Sequence, residues 1–440
     1  MKKSIVGVVR YEKPLESVRK AVEISSGLDR LSPSDRVFIK PNIPFWTPSV
    51  DFPKWGVITT SRVVEEMVVL LKEHGVNDIT IGEGMVTFDP RDRETARHAF
   101  ESLGYRALGR RYGVKCIHVF ERPFEKIDLG DGVRLNFNTD ILNSDFVVNI
   151  PVLKTHVQTI VSLGIKNIKG TIDVNSRKKC HNADPEKDLN FMVSRLADPL
   201  PPSFTIVDGI YSTERGPGFE GKIRRSNILI ASQDTLAADM VGAKVMGYEP
   251  SGIPYISHAA TRGNRPLDLS DIEIAGEPIE AVASPHEHSF PYNERGTLPV
   301  PLEKMGIKGI AYPQYDLTLC TYCSMLTGTI LAAIASAWKG VPWDDVEILS
   351  GKIMKPTPGK KTILLGKCLY QANKDHPDIG NMIAIKTCPP SPKAIADALR
   401  TFGVDVDPAM LEHFDEAPAR FMRKYEGNAE FDVSFFKIAG

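Results

Sequence analysis

The sequence predicts an α/β protein, with a large domain on a mostly parallel sheet and a smaller α/β unit after it. Three observations predict this. Short β-rich runs alternate with helical runs over the first 280 residues. The same alternation resumes between residues 313 and 402. Polar and glycine residues gather after the apolar runs, where α/β proteins bind ligands.

The expected strands of the large domain are Ser4–Val9, Arg36–Ile39, Asp78–Gly82, Val114–Phe120, Asp145–Ile150, Ser203–Val207, Asn227–Ala231 and Asp271–Ile274. Helical spacing marks Ser61–Glu73, whose Val63, Val64, Met67, Val68 and Leu71 share one face. Arg91–Leu103 and Thr235–Met246 repeat that spacing. Between residues 120 and 200 no sheet order emerges. The expected domains are 1–284, a Pro-rich linker at 285–312, a second α/β unit at 313–402 and a docking tail at 403–440. In the second unit, Tyr315–Leu319, Val346–Leu349, Thr362–Leu365 and Met382–Ile385 read as strands. Met325–Trp338 and Pro392–Phe402 read as helices, and Asp407–Arg423 as two short ones.

The chain has 440 residues, 42% hydrophobic and 25% charged, as a globular protein does. Its net charge of -1 argues against a dedicated nucleic-acid binder. The N-terminal apolar run, Ile5–Val9, is too short for a signal peptide. The 14-residue stretch Met325–Trp338 is too short to span a bilayer. A cytoplasmic location is therefore expected.

Four of the six cysteines, Cys320, Cys323, Cys368 and Cys388, fall between 320 and 388, each after an expected strand. Parallel strands would bring the four thiols to one edge. A four-thiolate set suits tetrahedral zinc or an iron–sulfur cluster. One C-x2-C and two dispersed single cysteines fit a cubane better than a zinc knuckle. Buried small hydrophobes are the plain alternative for Cys368 and Cys388.

Cys320-Thr321-Tyr322-Cys323-Ser324, Gly366-Lys367-Cys368 and Cys388-Pro389-Pro390-Ser391-Pro392 resemble the small subunit of nickel–iron hydrogenases. They are also similar to the cluster-bearing subunit of respiratory complex I, which differs in having adjacent cysteines at the first site. The resemblance covers residues 313–402. It implies a [4Fe–4S] cluster on a flavodoxin-like domain.

A second group of residues follows Asp145–Ile150. Asn149-Ile150-Pro151-Val152-Leu153-Lys154-Thr155-His156 runs on to Gly164-Ile165-Lys166-Asn167-Ile168-Lys169-Gly170. Lys40-Pro41-Asn42, Glu83-Gly84 and Asp208-Gly209 also follow expected strands. Lysine ammoniums and glycine-exposed N–H groups at one sheet edge suit a carboxylate or phosphate. Solvated loop lysines beside turn glycines are the alternative. These pieces, over residues 5–280, resemble the uncharacterised family known as domain of unknown function 362. Its members often carry an iron–sulfur module, commonly of ferredoxin type, and no settled activity comes with the resemblance.

Other residues carry less. Basic neighbours of Cys180-His181 would lower the thiol pKa and favour the thiolate. His286-x-His288 is a weak metal pair, and Cys116 lies inside an expected strand. There is no Walker A, no Gly-x-Gly-x-x-Gly after the first strand and no Gly-x-Ser-x-Gly.

The expected protein is an iron–sulfur oxidoreductase that passes single electrons between a [4Fe–4S] cluster and an anionic small molecule, the cluster domain facing the anion site. Lys154, His156, Lys166 and Glu83 are the candidate catalytic residues. Lys40, Asn42, Thr155, Asn167, Lys169 and Asp208 are the candidate substrate contacts. An external ferredoxin is the candidate electron donor, and a homodimer is open. The alternatives are a non-catalytic electron-transfer subunit docking to a larger redox complex and a zinc-stapled transferase or hydrolase.

Overall fold

A computed structural model describes residues 3–87 and 92–438. These form two compact units, one of residues 1–177, 190–289 and 421–440, the other of 178–189 and 290–420.

The large unit contains β1 (Ser4–Arg10), β2 (Arg36–Pro41), β3 (Asp78–Glu83), β4 (Lys115–His118), β5 (Phe124–Asp128), β6 (Arg134–Asn138), β7 (Phe146–Ile150), β8 (Val152–His156), β9 (Ile160–Ser162), β10 (Ser203–Glu214), β11 (Lys222–Ser232) and β12 (Ile272–Gly276). Ten of them make one sheet in the order β12-β1-β11-β10-β7-β2-β3-β4, with β8 pairing β10 and β9. Only β11 and β9 run against the rest. β5 and β6 form a separate hairpin. β7, Phe-Val-Val-Asn-Ile, is buried along its whole length, as a central parallel strand must be. Its neighbour β2 is set so that Lys40 lies opposite Asn149. A polar residue thus sits one place before the end of each of two adjacent apolar strands, at the same level.

Helix Ser61–Glu73 has the expected bounds and buries Val63, Val64, Met67, Val68 and Leu71. Thr60 caps it, accepting from Val63 N at 3.4 Å. The expected helix Arg91–Leu103 is observed as Glu94–Ser102, and Arg91 lies outside the described residues. β10 and β11 run well beyond their expected ends. Polar and arginine residues hid the extension. Arg225, for example, stacks over Tyr211 and Phe435 at 4.5 and 4.3 Å from the ring centres.

The small unit carries β13 (Ile310–Ala311), β14 (Val346–Leu349), β15 (Lys361–Leu365) and β16 (Ile383–Ile385), all parallel and in sequence order. The first two strands are not exchanged as in a flavodoxin order. Leu349, Leu364 and Leu369 form part of its core. The expected strand Tyr315–Leu319 is instead a turn, and β13 precedes it. Pro313 has no N–H to offer a ladder, and the Asp316 carboxylate takes Thr318 N at 2.7 Å. The segment expected as a linker, 285–312, carries helix Val300–Lys304 and β13. Residues 178–189 group with the small unit because Lys352 Nζ donates to the carbonyls of Lys178 and His181.

The last residues pack on the large unit. Phe431, Phe435 and Phe436 surround Tyr211, with ring centres 5.9, 5.8 and 6.1 Å away. Trp55 Nε1 donates to Asp432 O at 3.2 Å. Tyr211→Ala should therefore cost about 3–5 kcal/mol of stability, as removal of a buried aromatic does. Limited proteolysis should then cut within 421–438; an unchanged cleavage pattern would contradict this packing.

Candidate functional site

The site of the large unit grows from the carboxyl ends of β2, β3 and β7. Lys40 is fully buried, and a buried ammonium needs a counter-charge. Glu83, from the next strand, supplies it at 2.8 Å. The Lys40 ammonium also donates to Pro41 O at 2.6 Å and Asn167 Oδ1 at 3.4 Å. Glu83 accepts from Ile43 N and Gly84 N, both at 2.8 Å. A side chain at Gly170 would collide with Glu83 Oε1 and Lys40 Nζ, which explains the glycine. Burial lowers the Lys40 ionisation, and Glu83 opposes that fall.

Asparagines extend the network. Asn167 Nδ2 donates to Asn149 Oδ1 at 2.8 Å and Lys40 O at 3.2 Å. Asn42 Nδ2 donates to Asn167 Oδ1 at 2.9 Å. Asn42 Oδ1 in turn accepts from Lys154 Nζ at 2.5 Å. Lys154 Nζ also donates to Val57 O at 2.9 Å. Lys40, Asn42, Glu83, Lys154 and Asn167 are thus one hydrogen-bonded cluster, although 127 residues separate its ends.

Lys154 is buried, and that burial presses its ionisation down to about 7, with Glu83 opposing and Lys40 adding to the fall. Lys166, in the short helix Gly164–Asn167, lies well below the ordinary lysine range. Burial is the main cause, and the charges of Lys169 and Lys154 add to it. Among the described residues no carboxylate or hydrogen-bond acceptor pairs with the Lys166 ammonium. Asp239 fixes the start of that helix, accepting from Gly164 N at 2.6 Å and Ile165 N at 3.0 Å.

The remaining candidates make hydrogen bonds within the large unit. Asp208 accepts from Thr60 N at 2.7 Å and Ile210 N at 3.1 Å, so it anchors helix Ser61–Glu73. Thr155 Oγ1 donates to Thr213 O at 3.2 Å and accepts from Gly216 N at 3.0 Å. His156 Nδ1 accepts from Gln158 N at 3.1 Å. Sequence reasoning missed two contributors. Asp239 is a lone acid in the apolar run Thr235–Val245, which was a usable signal. Arg177, donating to Gly170 O at 2.7 Å, had none.

In the small unit the four cysteines lie on three stretches of chain, Cys320 with Cys323, Cys368, and Cys388. Cys320 caps helix Thr321–Ala337, and Cys323 N donates to Cys320 O at 3.0 Å in its first turn. Cys368 opens helix Lys367–Asn373, and Cys388 follows β16. Lys367 N donates to Thr387 O at 3.2 Å, joining the last two loops. Gly366 lies between them and the first: a Cβ there would stand 3.4 Å from Cys323 Sγ and 3.5 Å from Pro390 Cγ. A hydrogen bond to Cys320, burial, and the charges of Cys320, Cys388 and Cys368 push the Cys323 thiol up. The four sulfurs therefore feel one another. Among the described residues, no group of three or more His, Cys, Asp or Glu side chains is set to hold a single metal ion.

The other candidate cysteines and histidines pack against neighbours within their own units. Cys116 donates to Tyr105 O at 3.6 Å, and burial pushes it up to about 11. His181 Nδ1 lies 3.0 Å from Leu317 O, beside the buried Cys180. His286 is buried against Ser212 Oγ at 2.8 Å. The ring of His288 packs on Tyr248, 6.1 Å between centres. None of the described helices is long and apolar enough to cross a membrane.

Glu83→Gln would leave the Lys40 ammonium buried without its counter-charge, and should cost about 3–5 kcal/mol in denaturant unfolding. A loss below about 1 kcal/mol would show that the pair does not hold the site together. An unfolded lysine keeps its proton to about 10.5, whereas folded Lys154 releases it near 7. The unfolded chain binds more protons across that window, so this group makes stability rise with pH. Between about pH 7 and 8.5, wild-type protein should gain thermal stability relative to Lys154→Met. Parallel Tm–pH curves would rule out the depressed ionisation.

A Thylakoid-associated protein of Synechocystis sp. is 27% identical over 256 residues, 57% of this chain and 76% of that protein. The lactate racemase apoprotein from Thermoanaerobacterium thermosaccharolyticum matches at a TM-score of 0.37 and 15% identity, over 55% of this chain and 57% of that one. The lysine–glutamate–asparagine cluster lies wholly within residues 37–244, the segment that matches the family described as Domain of unknown function (DUF362).

Proposed function

We propose that the large unit binds an anionic small molecule at Lys154 and Lys166, and that Cys320, Cys323, Cys368 and Cys388 hold a [4Fe–4S] cluster, making the chain an iron–sulfur oxidoreductase. One observation carries the reading. Lys166 has cationic neighbours and no carboxylate partner among the described residues, and an anion supplies the missing charge. A carboxylate or phosphate accepting from Lys154 and Lys166 gains roughly 1.5–3 kcal/mol per charge-assisted hydrogen bond. Lys169 adds to the local field. Lys40, Glu83, Asn42, Asn167 and Asp208 position the binding residues rather than contact the anion, because their polar atoms are already engaged. An ionisation near 7 lets Lys154 Nζ hold or give up a proton at neutral pH. His156 stands next to it on β8 as a further proton donor or acceptor. A [4Fe–4S] cluster, when bound, supplies one-electron transfer. Cytoplasmic placement belongs to the same reading.

A second reading, a non-catalytic electron-transfer subunit, has one observation in its favour. Cys368 and Cys388 are exposed, as a site that exchanges electrons with another protein requires.

Anaerobic purification with iron, sulfide and EPR analysis tests the cluster. About four irons and four sulfides per chain are expected, and Cys388→Ala should lose them. Stoichiometric zinc would sink the cluster. For the anion site, a thermal-shift series of carboxylates and phosphates should find a stabilising anion. Lys166→Met should weaken its binding about ten- to a hundredfold. Full binding by that variant would sink the anion site.

A further inference from the structure

The edge of the small unit that carries the thiols is basic. From residue 351 to 397 the chain has eight lysines against three aspartates, with no arginine or glutamate. That is a net charge of +5 within a chain of net -1. The topology decides where the charge sits. Lys352 follows β14, Lys367 follows β15 and Lys386 follows β16. Because the strands are parallel, all three reach the edge that bears Cys368 and Cys388. Lys352 is held there by the carbonyls of Lys178 and His181. Lys386 stands 4.3 Å from the Tyr370 ring centre. Lys367 and Lys386 are exposed, as are both thiols.

The acids do not cancel this charge. Asp375 and Asp378 follow the far end of helix Lys367–Asn373, and Asp397 pairs with Lys393 at 3.2 Å. Asp316, also on the thiol edge and bonded to Thr318 N at 2.7 Å, offsets one of the three lysine charges there. Beside Lys352 the side chain of Ile353 is exposed (48%), a rare state for a large aliphatic residue here. An apolar point inside a cationic rim has the anatomy of a small, transient protein interface, with charge guiding the encounter.

We infer that this face docks an acidic one-electron carrier protein of the ferredoxin class. This deepens the proposed function and rests on its cluster reading. The reduced carrier is oxidised by one electron at the Cys368–Cys388 edge, and the group held by the four thiols is reduced by one. No atom is transferred.

The test uses the whole chain, purified anaerobically, with an acidic plant-type [2Fe–2S] ferredoxin as probe. Binding is followed by calorimetry at low and high salt. It should weaken steeply as salt rises, since screening shortens the reach of surface charge to about 3 Å at 1 M. K367E/K386E should lower the low-salt affinity at least about tenfold while iron and sulfide content stay at wild-type levels. K360E/K361E, at the opposite end of β15, should bind as wild type does. Equal losses in both variants, or none in K367E/K386E, would overturn the inference. So would phosphatidylglycerol vesicles or a single-stranded oligonucleotide that bind with the same Lys367 and Lys386 dependence while ferredoxin does not. Cys388→Ala should still dock ferredoxin but accept no electron. A chain that holds iron yet ignores ferredoxin fails the docking inference alone. A chain that docks ferredoxin but holds no iron fails the cluster reading alone.

Discussion

A fully buried ammonium is costly without a counter-charge, and the pairing of Lys40 with Glu83 organises the large unit's site around that cost. β2 and β3 must lie side by side and in register for the two groups to meet. Gly170 must stay a glycine because the pair fills the space a Cβ would need. Asn167 must turn its amide between Lys40 and Asn149. The segment 164–170 is thereby pulled onto the strand ends, and it brings Lys166 with it.

That geometry separates two kinds of lysine. Lys40 is neutralised inside the frame. Lys154 keeps only neutral oxygens as hydrogen-bond partners, and Lys166 has cations as its electrostatic neighbours. Burial and like charge act in the same direction on both, so their charged forms are costly.

The small unit gathers sulfur at one sheet edge. A hydrogen bond to Cys320, burial and the charges of the other three cysteines push the Cys323 thiol up, which favours its neutral form. Parallel strands put the thiols and the lysines of the following residues on the same edge. The exposure of Cys368 and Cys388 and the basic surround are therefore consequences of one strand polarity.

Much of this was legible in the residues. Apolar runs such as Phe146–Ile150 and the stripe of helix Ser61–Glu73 state their elements directly, because burial of both strand faces leaves a short continuous apolar run and burial of one helix face leaves a periodic one. The polar residues after those runs were also readable as a group, since strand ends gather in space. What the residues could not reveal is which polar atoms are already taken. Lys40, Asn42, Glu83, Asn167 and Asp208 look like ligand contacts in the sequence, and only the tertiary structure gives them hydrogen-bond partners within the protein. The same limit explains Tyr315–Leu319. Its composition suits a strand, but Pro313 and the Asp316 side chain bend it into a turn, and β13 forms upstream. Local pattern determined the elements and the chemistry available at their ends. Long-range pairing decided which charge is satisfied, because a hydrogen bond between residues 40 and 167 has no signature in the sequence around either.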